Sequence, residues 1–535
     1  MGTGITRRRL IGGAIGGAAV AGMGAAAWTL RPSSSVRLLF TNDMHSHLRP
    51  IYHRDYYDEA ALRSSGIAQG SPEAYISSFV DYEALAKRYG EVGGMAHLAT
   101  VIKQERDALP DRTLLLDAGD TWYGSAIGLL TDGRACVQVM NAIGYDAMTL
   151  HWEFNFGKEI LLARVKDARF AVLAQNVTDD FEDRVFQPSL VRDLGGTRVG
   201  VIGQAYPFSL LTTELRDANP DLHAGYQMEA LAKEIARLRT AEGVQIIVLL
   251  SHMGPEQERV VVERVPGIDV VVGGHTHEIL WQPVRVGNTL IVQAGSHGKL
   301  LGELDLVIRD GRVDGFQYRL LPILADRIEP DARIAALIDD LYRPYETRLS
   351  RVIGESRSIL YRRSLWGGTT DAVVAGAYRD LLGAEIGCCP GWRFGSTVLP
   401  GPVRVEDVYN AMKPTASPLY RVRLSGRTIR SVLEDNLDNV FSTDPLERLG
   451  GEVIRCLGVT GTVRAAGPRG SRLVGMLINS RPPDGEFVIA TSGGRTQYRD
   501  PAATASERPA VEELVAYFEA HPILEAEPLR GLVQE

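Results

Sequence analysis

Val36-Arg37-Leu38-Leu39-Phe40-Thr41-Asn42-Asp43-Met44-His45 is a short apolar run that breaks into a turn carrying a carboxylate and an imidazole. A run of this length bounded by polar residues reads as a buried strand. Alternate residues leaving a strand can point the same way, so the Asp-x-His triplet can present one oxygen and one nitrogen to a metal. The rhythm repeats along the chain. Thr113–Asp117 leads into Asp117-Ala118-Gly119-Asp120, Ala147–Leu150 into His151, Gln245–Ser251 into His252, and Val270–Gly273 into Gly274-His275-Thr276-His277. Phe170–Gln175 and Arg198–Gly203 are further strand-like runs, and helical patterns fill the intervals. Strand-then-helix alternation predicts an α/β layered domain over residues 36–325.

Of the 11 histidines, five (His45, His151, His252, His275 and His277) lie just past apolar runs. Any one of them alone reads as an ordinary core or surface residue. The ordered set, with Asp43 and Asp120, predicts a dinuclear metal centre. Gly119 lets the backbone turn sharply enough for Asp120 to reach between two cations. Glu153 can orient a ligand from behind, His47 reads as a neighbour of the site or a surface residue, and His297 as a lining residue. His53, His97, His223 and His521 read as surface or structural.

At 535 residues the chain exceeds one core, so two domains are expected. Apolar content of 45% and charged content of 23% are those of a globular protein, and a net charge of −8 disfavours nucleic acid as a partner. Cys136, Cys388, Cys389 and Cys456 form no disulfide framework and are expected as small buried thiols. Thr6-Arg7-Arg8-Arg9-Leu10-Ile11, followed by a Gly/Ala-rich run to Ala27, reads as a twin-arginine signal over residues 1–27 and so as export of the folded protein to the periplasm. No later stretch is apolar enough for a membrane span. Residues 49–92 form a polar, aromatic insertion, expected as an excursion or a flap over the site. Residues 330–349 read as a linker helix, and 352–535 as a second α/β domain. No G-x-S-x-G or Walker pattern offers rival chemistry.

These motifs resemble the calcineurin-like metallophosphoesterases, specifically their 5′-nucleotidase branch. The resemblance implies a four-layer α/β/β/α N-terminal domain and a C-terminal domain of 5′-nucleotidase type. It implies one metal on Asp43, His45, Asp120 and His277, and another on Asp120, His151, His252 and His275, with Asp120 bridging. Two departures narrow the substrate. The branch pattern Asn-His-Glu-Phe-Asp reads His151-Trp152-Glu153-Phe154-Asn155 here, so the histidine that assists an alkoxide leaving group and the aspartate that orients it are both gone. A sulfur leaving group tolerates that loss, since thiols ionise near pKa ~8.5. In the C-terminal half, Cys389-Pro390-Gly391-Trp392-Arg393 keeps the anion-binding Arg393. Lys413-Pro414-Thr415 lacks the base-stacking ring, and Gly493-Gly494-Arg495 carries Arg495 where the branch has aspartate. Arg393 and Arg495 suit a tetrahedral oxyanion.

The Thr41–Leu48 opening, Thr149–Gly157, Gly273–Glu278, Gln293–Lys299 and Pro390–Gly401 leading into Asp407–Asn410 look like the thiosulfohydrolases of periplasmic sulfur oxidation. That resemblance implies a cysteine S-thiosulfonate on the flexible C-terminal arm of a sulfur-carrier protein as substrate. It implies release of sulfate, a dimanganese centre with zinc as the other candidate, Asp120 and Arg393 as catalytic groups, and Trp152 as a wall of the substrate channel. The rival expectations are an exported 5′-nucleotidase or phosphodiesterase, and a non-catalytic carrier-binding subunit.

Overall fold

Ser35–Thr41 is buried along its whole length and lies in the middle of a six-stranded sheet. The order is Arg312–Pro322, Leu300–Arg309, Ser35–Thr41, Thr113–Asp117, Ala147–Met148, Ala171–Val172. Ser35–Thr41 runs parallel to Thr113–Asp117, with Leu39 opposite Leu115 and Thr41 opposite Asp117. Parallel register brings the two strand ends to the same edge, where crossover loops gather. The turns bearing Asp43 and Asp120 therefore emerge side by side. The computed structural model describes residues 35–211, 213–411, 417–492 and 500–535; the twin-arginine segment, Lys413-Pro414-Thr415 and Arg495 lie outside the described residues.

A second six-stranded sheet follows the order Val284–Val286, Thr289–Val292, Val270–Val272, Ile246–Ser251, Thr197–Gln204, Ser189–Leu194. Its four central strands are parallel. Strand alternation divides the apolar residues between two faces. Val36, Leu38, Phe40, Leu114 and Leu116 pack inward against Val201, Val248, Leu250, Val272 and Val292 of the second sheet. Leu39 and Leu115 point outward, into one core with residues of the helices Met95–Ala108 and Arg134–Ile143. On the far side, Ile202, Ile247, Leu249 and Val271 meet the helices Met228–Thr240 and Pro255–Arg264. The result is an α/β layered domain, as the alternation predicts, in the four-layer α/β/β/α arrangement that the family resemblance implies.

The segment 49–92 is built in rather than hung over the site. It forms the helices Glu59–Ser64, Pro72–Ser77 and Tyr82–Tyr89. Tyr75, Ile76, Tyr82, Leu85 and Tyr89 join the core between the sheets. The segment's near end also reaches the C-terminal half, where Thr397 N donates to Tyr52 O at 2.7 Å and Arg54 N to Thr397 Oγ1 at 2.8 Å. The expected linker helix is two pieces, Ala332–Tyr342 and Glu346–Leu349. Asp331 caps the first through the amides of Arg333 and Ile334, and Pro344 falls in the gap, where it brings no amide to continue the ladder.

The C-terminal half contains a five-stranded sheet, Arg455–Leu457, Ile386–Cys389, Glu486–Thr491, Pro418–Ser425, Thr504–Pro509, and two three-stranded sheets. Here one expectation fails. Cys388 and Cys456 are not separate thiols but a disulfide. They are direct cross-strand partners in the pairing of Ile386–Cys389 with Arg455–Leu457, with Cα atoms 4.2 Å apart, and that antiparallel adjacency is what brings their sulfurs together. Neighbouring residues on a strand face opposite ways, so Cys389 turns to Asp371 instead and stays a buried thiol, as does Cys136. Among the described residues no helix is long and apolar enough to cross a membrane.

The join between the halves carries an acidic group whose titration is readable. Burial, then Asp326, Asp407 and Glu406, push the Glu91 carboxyl up to about 7. The folded chain therefore holds this proton more tightly than the unfolded chain. The stabilisation is complete below the unfolded value and is lost as pH rises through about 7. Glu91→Gln is expected to raise the melting temperature at pH 8 and to leave it nearly unchanged at pH 4, as read by calorimetry across that range.

Candidate metal centre

The edge at which the parallel strands end collects all seven residues expected to bind metal. Asp43, His45, Asp120 and His277 offer ligand atoms lying within 4.8 Å of one another, and His151, His252 and His275 form a second such group. Asp120 lies between them: Oδ1 is 3.6 Å from His45 Nδ1, and Oδ2 is 3.9 Å from His252 Nε2. His45 Nε2 and His277 Nε2 are 2.9 Å apart, and His277 Nε2 is 3.2 Å from Asp43 Oδ1. The whole cluster is buried. His45 Nδ1, His252 Nε2 and His277 Nδ1 lie buried without a hydrogen-bond partner. Buried imidazole nitrogens converging on carboxylates in this way fit a pair of divalent cations with nitrogen and oxygen ligands.

The local backbone is more unusual than the sequence suggests. Asp43 (φ 51°), His45 (φ 49°), Asp120 (φ 60°), His275 (φ 76°) and His277 (φ 57°) all sit in the left-handed region. The Asp43/His45 pair thus converges through a strained turn, not through extended alternation. Each turn is braced. Thr41 Oγ1 and Thr121 Oγ1 donate to the Asp117 carboxylate at 2.6 and 2.7 Å, as does Gly119 N at 2.9 Å. Asn42 Nδ2 donates to Asp43 Oδ2 (2.7 Å) and to Gly295 O (2.6 Å), and His275 N donates to Asp43 Oδ2 (2.9 Å). At Gly119 a Cβ would come within 2.8 Å of Thr149 O, so only glycine fits that turn.

Glu153 has the orienting role read from the sequence. Its Oε1 accepts from Thr121 N (2.7 Å) and Trp122 N (3.1 Å), and its Oε2 from His151 N (2.7 Å). One buried carboxylate therefore locks the Asp120 turn to the His151 turn. His252 Nδ1 meets Ala118 O at 2.5 Å, which presents Nε2 to the cluster. Burial raises Asp43 to about 8 and lowers His252 to about 3. His45 and His277 are likewise driven well down by desolvation, so all three imidazoles are neutral, the form that binds metal.

The C-terminal half reaches into this centre. Arg393 Nε and Nη2 donate to His275 O at 3.0 and 2.7 Å. The guanidinium is close enough to lower the Asp43 pKa and to disfavour charge on His45, His252 and His277. Trp152 stands edge-on to His45 (ring centroids 5.4 Å), Trp392 (5.1 Å) and Phe394 (5.0 Å). Asn155 Nδ2 donates to Trp152 O at 2.9 Å, which commits its amide to the local turn.

Tyr206 follows no motif and carries no signal in the sequence. It stacks on His275 (4.0 Å, 21°) and meets His151 edge-on (4.7 Å). His297 does line the centre, 5.3 Å ring to ring from His45, and its Nε2 faces Gly395 N at 3.3 Å. His53 and His47 are buried rather than at the surface; each packs on His297, at 4.4 and 5.0 Å. The insertion brings Asp55 to the buried Lys299 and to Arg363, whose Nη2 donates to Thr276 O (3.3 Å) and His277 O (3.4 Å).

A layered fold with a seven-residue Asp/His cluster at its strand ends defines a dinuclear-metal hydrolase. Comparison with known proteins agrees. Residues 352–500 match the family model of the 5′-nucleotidase C-terminal domain. A snake venom 5′-nucleotidase from Gloydius brevicauda is 30% identical over 366 residues, covering 64% of this chain and 55% of that enzyme. Protein 5NUC of Lutzomyia longipalpis is 26% identical over 462 residues, covering 77% of this chain and 75% of that protein. The chain thus spans little more than half the length of the snake enzyme. It belongs to the 5′-nucleotidase branch of the metallophosphoesterases, a family of metal-dependent hydrolases. Within that branch it is similar to the sulfate thiohydrolase SoxB of Thermus thermophilus, with a TM-score of 0.89 at 30% identity over 94% of this chain and 97% of that one.

Because Glu153 ties two ligand turns together, Glu153→Ala is expected to weaken metal binding by about 10–100-fold. Glu153→Gln keeps one acceptor oxygen and is expected to fall between that variant and the parent. Competition against a chelator of known affinity measures both.

Proposed function

We propose that this protein hydrolyses a cysteine S-thiosulfonate carried on the flexible C-terminal arm of a sulfur-carrier protein and releases sulfate. The observation that carries the reading is Trp152. It occupies the place of the leaving-group acid, has no titratable group, and is wedged among His45, Trp392 and Phe394. Asn155 Nδ2 is turned onto the Trp152 carbonyl, and its amide offers no carboxylate to orient an acid. The likeness to the sulfate thiohydrolase SoxB of Thermus thermophilus supports hydrolysis at sulfur over hydrolysis at phosphorus.

Two divalent cations held by Asp43, His45, Asp120 and His277 on one side and by His151, His252 and His275 on the other, with Asp120 shared, would supply activated water at neutral pH and polarise the oxyanion under attack. Manganese is the metal that the thiosulfohydrolase resemblance favours, with zinc equally compatible with the donor set. In this reading an oxygen from water attacks the terminal sulfonate sulfur and forms the new S–O bond. The S–S bond breaks, and its electron pair leaves on the carrier's persulfide. That anion is weakly basic and needs no proton from the protein. Arg393 supplies positive charge toward the developing oxyanion from a fixed position on the His275 carbonyl, and Arg495 is proposed as a second contact to it. The Trp152, Trp392 and Phe394 rings form a narrow wall suited to a thin peptide arm. The Cys388–Cys456 disulfide suits an oxidising compartment, in keeping with export to the periplasm.

Metal-loaded protein is expected to release sulfate from a thiosulfonate-modified cysteine peptide and little phosphate from AMP. Phosphate release with no sulfate would instead make it an exported nucleotidase, and metal binding without either product a carrier-binding subunit. Trp152→His combined with Asn155→Asp is expected to leave sulfate release no faster than in the parent; a strong acceleration would refute the leaving-group argument.

A further inference from the structure

Two loops from the C-terminal half converge on His275. The first follows the strand Ile386–Cys389 and carries Trp392 and Arg393, which grips His275 O. The second precedes the strand Arg455–Leu457, and its Gly450 lies so close that an added Cβ would strike the His275 imidazole. A backbone hydrogen bond joins the two loops, with Glu452 N donating to Gly391 O at 2.8 Å. Each is also anchored elsewhere: in the first, Gly395 N donates to His297 Nε2 at 3.3 Å, and in the second, Gln257 Nε2 donates to Arg448 O at 2.8 Å while Asn439 holds Leu449 N and Gly450 O. What joins their roots is slight in backbone terms, a three-residue pairing along the edge strand Arg455–Leu457. The Cys388–Cys456 disulfide sits at the centre of that pairing.

We infer that the Cys388–Cys456 disulfide is a positioning element of the substrate side of the site: it fixes the Arg393 loop against the Gly450 loop, and through them the affinity for a tetrahedral oxyanion, while the metals are held without it. No proposed metal ligand belongs to either loop, since all seven come from the two N-terminal sheets and their turns. A covalent tie matters more here than a hydrogen bond, because a short edge pairing opens readily. The inference rests on reading Arg393 as the anion-binding group.

The test uses the full metal-loaded protein in three forms: parent, parent reduced with a phosphine, and Cys388→Ala/Cys456→Ala. In the reduction the phosphine gives up two electrons and takes the oxygen of one water, and each sulfur gains a proton; thiol titration confirms it. Metal stoichiometry, sulfate binding and the near-ultraviolet circular dichroism of the Trp152–Trp392 pair are followed, with Trp392→Phe marking that signal. Opening the tie is expected to leave the metals bound, weaken sulfate by about ten-fold, the loss of one charge-assisted contact, and change the tryptophan signal. The inference is overturned if sulfate affinity and tryptophan signal both survive opening, or if metal is lost as thiols appear. If sulfate fails to bind even the parent, the Arg393 reading falls, and the tryptophan signal alone decides whether the disulfide sets the loop.

Discussion

Two buried carboxylates and five buried imidazoles share one small volume, and the rest of the structure answers to that constraint. Water is excluded, so Asp43 resists ionisation and the imidazoles of His45, His252 and His277 resist protonation. Neutral imidazoles with unpartnered nitrogens, as at His45, His252 and His277, are costly to bury. Divalent cations remove that cost at once, which makes metal binding and the folding of these turns a single free-energy balance. The left-handed conformations at Asp43, His45, Asp120, His275 and His277 belong to the same balance. Each is unfavourable alone; Asn42, Asp117 and Glu153 over-determine the Asp43 and Asp120 turns, and Arg393 and Arg363 hold the His275–His277 turn.

The C-terminal half completes what the sheets begin. Three consecutive carbonyls, those of His275, Thr276 and His277, are held by Arg393 and Arg363, which lie beyond the linker helices. Arg363 is in turn fixed by Asp55, and Asp55 by Lys299, all buried. Charges so deeply placed seldom add stability over an apolar packing of the same shape. Their worth here lies in specifying where the His275–His277 turn sits. This also accounts for the long insertion near the N-terminus, whose first residues bring Asp55 into place.

Much of this was legible in the sequence, for identifiable reasons. Strands buried on both faces read as near-continuous apolar runs, so the two central sheets and the positions just beyond their strands could be located. Five histidines past such runs, in order, carried the metal centre, and the replacement at Trp152 and Asn155 carried the leaving-group argument. What stayed hidden depends on tertiary register or backbone handedness. The outer strand Arg312–Pro322 alternates polar and apolar residues, the period of a half-exposed strand, but its place at the sheet edge beside Leu300–Arg309 is set by tertiary register. Cys388 meets a partner 68 residues away, with a second cysteine beside it to confuse the reading. Tyr206 stacks on His275 from a position no local pattern marks. The left-handed turns were invisible because aspartate and histidine, unlike glycine, do not announce such a backbone.

Gly450 shows how far the centre's reach extends. It lies about 170 residues beyond the last of the proposed ligands, in the other half of the chain, yet its lack of a side chain is what leaves room for the His275 ring. Genetic drift at this position is therefore closed off in a way that the sequence around it conceals: even alanine would press on an imidazole. In any population of variants, this glycine is expected to share its fate with the histidines rather than with the loop in which it sits.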